Sequence, residues 1–411
     1  MRGLRHKVEA AVWSRKQWIL VLAIFCLGWV LSGMMCKVMA AEWSVQPFLG
    51  VKAVYNDNLL LTPLPHDPTY GYWISPAAEL AGKTERLEVS SKIAADFVSY
   101  YGDEERRFTN IFVPLTMNYK TETDVLGLNG GFVRDNTLMG ELRTTGLVLR
   151  FTQRNQLTAN PSWTRSITEK LSLQTSFQFS NTRYENGLAL GLVDYQLLGG
   201  SGGLRYQLTE EDQIQLSGSY LGFYTTNSPS PFRASFPGIN LALTHAFTES
   251  MTGTVYGGPN YVSSTTRAAA TVVRAERTVW LFGVNLEKKF ESGSIQLNAA
   301  REILPSGFGL LIQTDHAGLT ISRDITETVV AGLDGGAYLI TGITTTSSGG
   351  ILPEQRYFYL GPRLSWKFSE WWKFDVSYTY GRRESDGLNP ALSNATMFML
   401  TYYPPKLALS K

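Results

Sequence analysis

Residues 168–180 read Thr-Glu-Lys-Leu-Ser-Leu-Gln-Thr-Ser-Phe-Gln-Phe-Ser, a short polar turn followed by an alternating run. Leucine, threonine and phenylalanine occupy the odd positions from Leu171 to Phe179, whereas serine and glutamine occupy the even ones. Successive side chains of a β-strand point to opposite faces, so a period of two predicts a strand rather than a helix. The stretch therefore predicts a strand with one apolar and one polar face, entered through a tight turn.

The same turn recurs along the chain. Its six full copies are Thr84-Glu85, Thr121-Glu122, Thr168-Glu169, Thr209-Glu210, Thr248-Glu249 and Thr326-Glu327, and two looser copies are Glu291-Ser292 and Ser369-Glu370. The eight glutamates lie 36 to 47 residues apart, and self-similarity of this kind indicates one repeated supersecondary unit. Each unit is predicted to be an antiparallel pair of strands of roughly ten residues. Amphipathic strands of that length, joined alternately by short turns and long loops, are typical of a transmembrane β-barrel.

The predicted fold is an all-β, antiparallel transmembrane barrel that forms a single domain over residues 41–411. Eight tight turns and nine longer connections give 18 strands, within a range of 16 to 20, with both ends of the barrel on one side. The longer connections are predicted to include the loops Asn227–Pro237 and Ser263–Glu276. The segment Asp135–Asn155 could form an extra hairpin or fold into the lumen, and the sequence leaves both open. A soluble solenoid or β-propeller is the alternative fold.

Residues 1–40 have the pattern of a secretory signal peptide. A basic beginning precedes the apolar run Trp18–Leu31, and Val38-Met39-Ala40 offers a cleavage site before Ala41. An uncleaved anchor helix is the alternative, whereas a lipoprotein at Cys36 is disfavoured because Met35 is too large for the preceding position. Both cysteines fall in this segment, so we expect no disulfide in the barrel.

Charge and hydropathy narrow the class of protein. Without residues 1–40, 31 basic and 34 acidic residues remain, a formal net charge of −3, so no nucleic-acid footprint is expected. Beyond residue 40 no run of about 18 apolar residues predicts a membrane helix. Lipid otherwise admits only closed barrels, which predicts the outer membrane of a Gram-negative bacterium, with outer-membrane lipid as the partner. The predicted lower aromatic girdle comprises Tyr119, Tyr206, Phe247, Phe290, Phe368, Trp371 and Trp372.

The polar parity of the strands predicts the wall of an aqueous lumen. The candidate pore-lining residues are Lys92, Asp96, Gln174, Gln178, Gln215, Gln296, Asn298, Lys373 and Asp375. Their mixed signs and many amides indicate a wet wall without a strong field, suited to a hydrated, weakly charged solute such as a glycan. Any polar wall would look similar, and that interpretation stays open.

No catalytic or metal-binding constellation is predicted, so we expect no enzyme activity and no cofactor. His66, His245 and His316 are scattered, without ligand spacing, and we interpret them as ordinary polar residues. The stretch Gly199–Gly203 matches G-x-S-x-G, but it lies inside a predicted strand and not between a strand and a helix. We interpret its glycines as positions where neighbouring backbone or side chains crowd.

Several landmarks carry a resemblance to a known family. They are Tyr55-Asn56-Asp57-Asn58-Leu59-Leu60, Val133-Arg134-Asp135-Asn136, and Pro161-Ser162-Trp163 leading into Ile167-Thr168-Glu169-Lys170-Leu171-Ser172-Leu173. The chain resembles the outer-membrane β-barrel proteins encoded with exopolysaccharide systems, including those associated with PEP-CTERM protein sorting. The resemblance implies a barrel of about 18 strands that exports a polysaccharide polymer, delivered by an inner-membrane polymerase and a periplasmic export component. It implies no catalytic residues.

The resulting hypothesis is an outer-membrane pore for export of an exopolysaccharide. The alternatives are a general diffusion or uptake porin, a plugged structural or adhesive barrel, and a barrel enzyme acting on lipid. The oligomeric state is left open, with a monomer preferred. Candidates for the outer mouth or a plug are Asn56, Asp57, Asn58, Arg134, Asp135 and Asn136, although Asx-rich sequences also simply form good turns.

Overall fold

A computed structural model describes residues 42–63, 66–102, 105–147, 150–268, 271–344 and 353–410. The predicted signal peptide, residues 1–40, lies outside these described residues. The strands are β1 Glu42–Asn56, β2 Thr69–Lys83, β3 Leu87–Gly102, β4 Arg106–Lys120, β5 Asp124–Asn136, β6 Gln153–Ser166, β7 Leu171–Tyr184, β8 Asp194–Gln207, β9 Asp212–Asn227, β10 Phe232–Thr248, β11 Met251–Ala268, β12 Thr271–Phe290, β13 Gly293–Pro305, β14 Leu311–Asp324, β15 Val329–Gly342, β16 Gln355–Trp366, β17 Trp372–Ser385, β18 Ala391–Tyr402 and β19 Leu407–Ser410.

The strands form one closed antiparallel barrel. Each strand from β1 to β18 pairs with its sequence neighbours, and β18 returns to β1 over the pairs Leu49↔Tyr402 to Asn56↔Ala395. The predicted barrel of 18 strands is therefore confirmed. The short strand β19 follows Pro404 and Pro405 and continues the line of β18. Its Leu407 pairs with Val45 of β1 at the end of the barrel with the tight turns.

The recurring threonine of the tight turns accepts a hydrogen bond from the backbone of the same turn. The Oγ1 atom of Thr168 accepts from the backbone N–H of Leu171 at 3.0 Å, and Oγ1 of Thr209 accepts from the N–H of Asp212 at 2.9 Å. The same contact to the third following residue recurs at Thr84, Thr121, Thr326 and Ser369. A hydroxyl that caps its own turn favours chain reversal, which explains the repeat.

Two of the predicted loops are wrong, because the structure has β-strand residues within both ranges. β11 and β12 are 18 and 20 residues long, and Ser263 pairs directly with Glu276, the two ends of the expected loop Ser263–Glu276. β10 begins at Phe232, inside the expected loop Asn227–Pro237. Strands that extend beyond the lipid need no apolar face, so their polar composition resembles that of a loop. For the same reason the strands of the barrel exceed the expected ten residues.

The outer face of the barrel is apolar. Large side chains of one parity are exposed on most strands, and examples are Val51, Phe97, Phe177, Leu216, Ile239, Val255, Trp280, Leu364 and Phe398. Soluble proteins rarely leave so much contiguous apolar surface in water, whereas lipid requires it. At the end with the tight turns, Tyr206, Phe247, Phe290, Phe368, Trp371 and Trp372 of the predicted girdle are also exposed. Side chains of the other parity face the lumen.

The core lies inside the barrel, at the end with the long loops. A helix, α1 (Thr137–Thr145), and a 3₁₀ turn, Gly187–Leu190, fold inward there. Within the described ranges, no helix is long and apolar enough to cross a membrane. The buried cluster around them includes Leu147, Leu192, Tyr195, Phe223, Phe232, Phe236, Leu311 and Ile340. Of the two possibilities left open for Asp135–Asn155, the structure has the inward fold.

Candidate functional site in the barrel lumen

A plug, defined as residues 137–147, crosses the lumen. It arises between β5 and β6 and reaches the opposite wall, where Oγ1 of Thr314 on β14 donates to the carbonyl of Thr145 at 3.4 Å. On β15, the hydroxyl of Tyr338 donates to the carbonyl of Arg143 at 3.0 Å. β5 and β14 are nine strands apart in the closed barrel, as are β6 and β15. The plug therefore spans the diameter.

Local signals begin and end the helix of the plug. The Oδ1 atom of Asn136 accepts from the N–H of Met139 at 3.0 Å, which is a helix N-cap. Gly146 has a φ of 73° and its N–H donates to the carbonyl of Leu142, which is a left-handed C-terminal cap. A Cβ atom at Gly146 would lie 2.6 Å from Cβ of Tyr338. These two caps were the sequence signal for a helix that we did not predict.

A buried polar group holds the root of the plug, and we call it the Arg154 cluster: Asp135, Glu141, Arg154 and Tyr184. Arg154 donates to both carboxylate oxygens of Asp135, at 2.9 and 2.8 Å, and to Oε1 of Glu141 at 3.2 Å. The hydroxyl of Tyr184 donates to the same Oε1 at 2.5 Å. All four residues are buried.

The Arg154 cluster holds one cation and two acids. A second ionised carboxylate would leave a net negative charge without solvent, which is costly. Burial raises the pKa of Glu141, although Arg154 and Tyr184 act against the shift. The protonated form of Glu141 balances the charges of Asp135 and Arg154, so the closed plug favours a protonated Glu141.

Apolar contacts seal the plug to the walls. Leu147 is buried in the cluster that joins β7–β12 with β13–β15, and Leu142 packs against Leu61 and Tyr357. The loops beside it also meet, because the N–H of Val193 donates to the carbonyl of Gly307 at 2.7 Å. The half of the lumen toward the long loops is thus filled by inward-folded segments.

The other half of the lumen is polar, with charges arranged as ion pairs. Lys92 lies 2.9 Å from Glu79, and Lys373 lies 2.9 Å from Asp375. A third pair, Lys52 and Asp96 at 3.5 Å, lies nearer the long loops and the plug. The predicted pore-lining residues Lys92, Asp96, Gln174, Gln178, Gln215, Gln296, Asn298, Lys373 and Asp375 all have the inward parity of their strands. Pairing of opposite charges leaves little net field. Their role in lining a conducting pore stays a prediction.

The predicted mouth residues build loops. The carboxylate of Asp57 accepts from the backbone N–H and from the amide of Asn394, both at 2.6 Å. Asn58 is buried and its amide donates to the carbonyls of Thr62 and Leu392. Asn56 accepts from the N–H of Asn58. These contacts fasten the β1–β2 loop to β18.

The second group of mouth candidates supports the plug. Arg134 donates to Glu185 at 2.6 Å and to Gln153 at 2.8 Å, next to the plug's root. Asp135 belongs to the Arg154 cluster, and Asn136 caps α1. This second group therefore lies at the root of the plug, whereas the first group fastens the loop whose Leu61 packs against Leu142 of the plug.

A cavity of about 250 Å³, the Tyr359 pocket, lies between the plug and the wall of β13–β16. Its lining includes Arg143, Gln296, Asn298, His316, Tyr338 and Tyr359. The structure thus brings two predicted lumen residues, Gln296 and Asn298, together with His316, which we interpreted as an ordinary polar residue. Sequence reasoning missed the pocket because its residues come from the plug and four strands.

The glycine-rich stretch of β8 packs against its neighbour. A Cβ atom at Gly199 would lie 2.1 Å from the carbonyl oxygen of Tyr220, and one at Gly203 would lie 2.6 Å from that of Leu216. Ser201 hydrogen-bonds to Ser176 at 2.8 Å. The geometry therefore agrees with close packing of β8 against the backbone of the neighbouring strand β9. In the part of the chain that the structure describes, no group of three or more His, Cys, Asp or Glu residues could hold a metal ion.

The fold and the filled lumen define a plugged β-barrel of the transmembrane class. No protein-family model and no curated protein matches the sequence. Among solved structures, OccAB3 of Acinetobacter baumannii is 10% identical, with 89% of this chain and 99% of that chain covered and a TM-score of 0.42. The copper transporter OprC is 10% identical, with 88% and 65% covered and a TM-score of 0.49. OccK5 (OpdH) of Pseudomonas aeruginosa is 12% identical, with 88% and 98% covered and a TM-score of 0.41. The likeness is one of fold alone.

Proposed function

We propose that the protein is an outer-membrane channel for small hydrated solutes and that the plug regulates its conductance. The observation that carries the proposal is the plug, which spans a polar-walled lumen and holds the far wall through the hydrogen bonds of Thr314 and Tyr338. The apolar outer face supports a place in the outer membrane. Short turns then lie on the periplasmic side and long loops outside, as is usual in bacterial barrels.

Small solutes suit this lumen better than a polymer. A barrel of 16–18 strands encloses an aqueous channel when empty, but here inward-folded segments fill its outer half. A hydrated solute needs a gap beside or beneath the plug, whereas a polymer chain needs the whole apolar cluster to leave. The balanced ion pairs of the inner half also favour solutes of low charge. We therefore favour the uptake porin among the alternatives, a role that requires no catalysis.

Removal of the plug tests this proposal. Asn136 pairs with Gln153 at the ends of β5 and β6, so residues 137–152 can be replaced by a two-residue Asn-Gly turn that keeps the barrel closed. We expect the single-channel conductance in planar bilayers to increase severalfold. A retained heat-modifiable gel shift is the control for the barrel fold. Equal conductance of the two proteins would contradict regulation by the plug.

Export of an exopolysaccharide is a second candidate, suggested by the family resemblance and by the aromatic wall of the Tyr359 pocket. It would make the polymer and a periplasmic export component the partners. Deletion of the gene from its host tests this role. Loss of polymer from the cell surface with retention of periplasmic polymer is expected for an export barrel, whereas unchanged surface polymer would contradict export and leave the uptake channel.

A further inference from the structure

We propose that the Tyr359 pocket binds a single sugar ring that carries a carboxylate, an inference that rests on the channel function and names its solute class. The cavity of about 250 Å³ is smaller than the roughly 300–1,000 Å³ of sites for drug-sized ligands. One ring therefore fits better than an oligosaccharide. The three parts of the pocket, an aromatic platform, an amide wall and an arginine, each match one part of such a ligand.

The platform is the ring of Tyr359. A Cβ atom at Gly336 would lie 2.4 Å from this ring, so the absence of a side chain there lets the ring lie flat on β15. Tyr338 lies beside it at 6.4 Å between centroids and 26° between planes, and His316 continues the row at 5.9 Å from Tyr338. A flat aromatic face beside polar groups is suited to the C–H face of a pyranose, whose hydroxyls point sideways.

Amide side chains form the wall. Gln296 and Asn298 are exposed to the lumen on β13, and within the described chain neither side-chain amide makes a hydrogen bond to another residue. A Cβ atom at Gly318 would lie 2.2 Å from Oδ1 of Asn298, so this amide also lies close against the wall. Amides donate and accept together, which is what the hydroxyl groups of a sugar require.

Arg143 supplies the charge. It is exposed, its carbonyl is fixed by Tyr338, and over the described residues no carboxylate lies within salt-bridge distance of its guanidinium. The nearby acids already have partners: Glu302 lies 3.9 Å from His316, and Asp334 contacts Thr320 and Arg363. A guanidinium that faces a solute pocket is suited to pair with a ligand carboxylate.

Calorimetric titration of the purified full-length barrel in detergent with sodium D-glucuronate and with D-glucose tests the inference. We expect glucuronate to bind at least tenfold more tightly than glucose. Arg143→Gln should remove this difference, and Tyr359→Ala should abolish binding of both sugars, whereas Tyr359→Phe should keep it. Lys170→Gln is the matched control, because it removes one exposed cation at the tight turn before β7, away from the pocket wall of β13–β16, and should leave glucuronate binding unchanged.

Absence of glucuronate binding, equal affinity for the two sugars, or unchanged binding in Arg143→Gln or Tyr359→Ala would overturn the inference. The same preparations are then measured in planar bilayers, which separates this result from the channel function. Conductance without glucuronate binding refutes the pocket alone. Glucuronate binding in a barrel whose conductance does not respond to removal of the plug refutes the regulated channel and leaves the pocket.

Discussion

The hydroxyl group of one threonine or serine stabilises most of the tight turns that recur along this chain. In six of the eight tight turns, a threonine or serine Oγ accepts the backbone N–H three residues later. The turns at Thr248-Glu249 and Glu291-Ser292 differ, because each places only two residues between its strands. The recurring threonine is therefore explained by local turn chemistry and needs no shared binding role.

Replacement of a turn threonine should weaken the barrel slightly. Thr168→Val removes an acceptor for the N–H groups of Leu171 and Lys170, and we expect a loss of about 0.5–1.5 kcal/mol in the free energy of unfolding. Thr248→Val is the control, since among the described residues its hydroxyl hydrogen-bonds only to the side chain of Ser250. Urea titration in lipid vesicles measures both, and equal losses would contradict the role of the hydroxyl.

A glycine of the plug is the second residue whose replacement is informative. A Cβ atom at Gly140 would lie 1.8 Å from Nη2 of Arg154 and 2.6 Å from Oδ2 of Asp135. Gly140→Ala should therefore break the Arg154 cluster and raise the conductance, while the barrel keeps its heat-modifiable gel shift. Gly218→Ala is the control, because the nearest atom to its Cβ lies at 3.9 Å. Unchanged conductance in Gly140→Ala would refute the cluster as a latch.

At the scale of elements, hydrogen bonds hold the plug at its root and at the far wall. The contacts at the root depend on the protonation state of Glu141. Glu141 faces Asp135 from β5, Arg154 from β6 and Tyr184 from β7. Burial raises the pKa of Glu141 in the closed plug, whereas a hydrated Glu141 in an open plug would keep the ordinary pKa of a glutamate. The closed state then binds a proton that the open state releases, so its stability falls as the pH rises through the raised pKa.

The open fraction of the channel should accordingly increase as the pH rises above the ordinary pKa of a glutamate side chain, about 4.3. Single-channel recordings between acidic and neutral pH measure this fraction. Glu141→Gln imitates the protonated carboxyl, and we expect it to stay closed without pH dependence over the same range. An identical pH profile in Glu141→Gln would show that another group controls the plug.

The same elements show what the sequence could predict. Period-two alternation and the recurring turn identified the barrel and its strand number, because each strand contacts lipid on one side and the lumen on the other. The outer end of the hairpin β11–β12 was predicted as the loop Ser263–Glu276, since strands outside the membrane lose that alternation. An inward fold of Asp135–Asn155 was left open beside a hairpin, but its helix was not predicted. Asn136 and Gly146 mark that helix, whereas its contacts to the barrel wall come from Arg154, Thr314 and Tyr338, which lie outside the plug.

For the whole molecule, the sharpest physical division is between its two faces. Neighbouring residues of β7 face different media: Phe177 is exposed on the apolar outer surface, and Gln178 faces the lumen. A lipid-facing arginine near the bilayer midplane costs about 2–4 kcal/mol, whereas a lumen arginine stays hydrated. The face of the barrel on which a residue lies should thus determine how much free energy of unfolding a substitution by arginine removes.

We therefore expect Phe177→Arg to lower the free energy of unfolding by about 2–4 kcal/mol in lipid vesicles and Gln178→Arg to lower it by less than about 1 kcal/mol. The two variants gain the same side chain at adjacent positions of one strand, so each is the control for the other. Urea titrations followed by tryptophan fluorescence measure both. The contrast should shrink in a detergent micelle, which adapts its shape around a charge. Equal losses in vesicles would mean that the apolar face of β7 does not contact lipid, and the membrane-spanning orientation of the barrel would then be wrong.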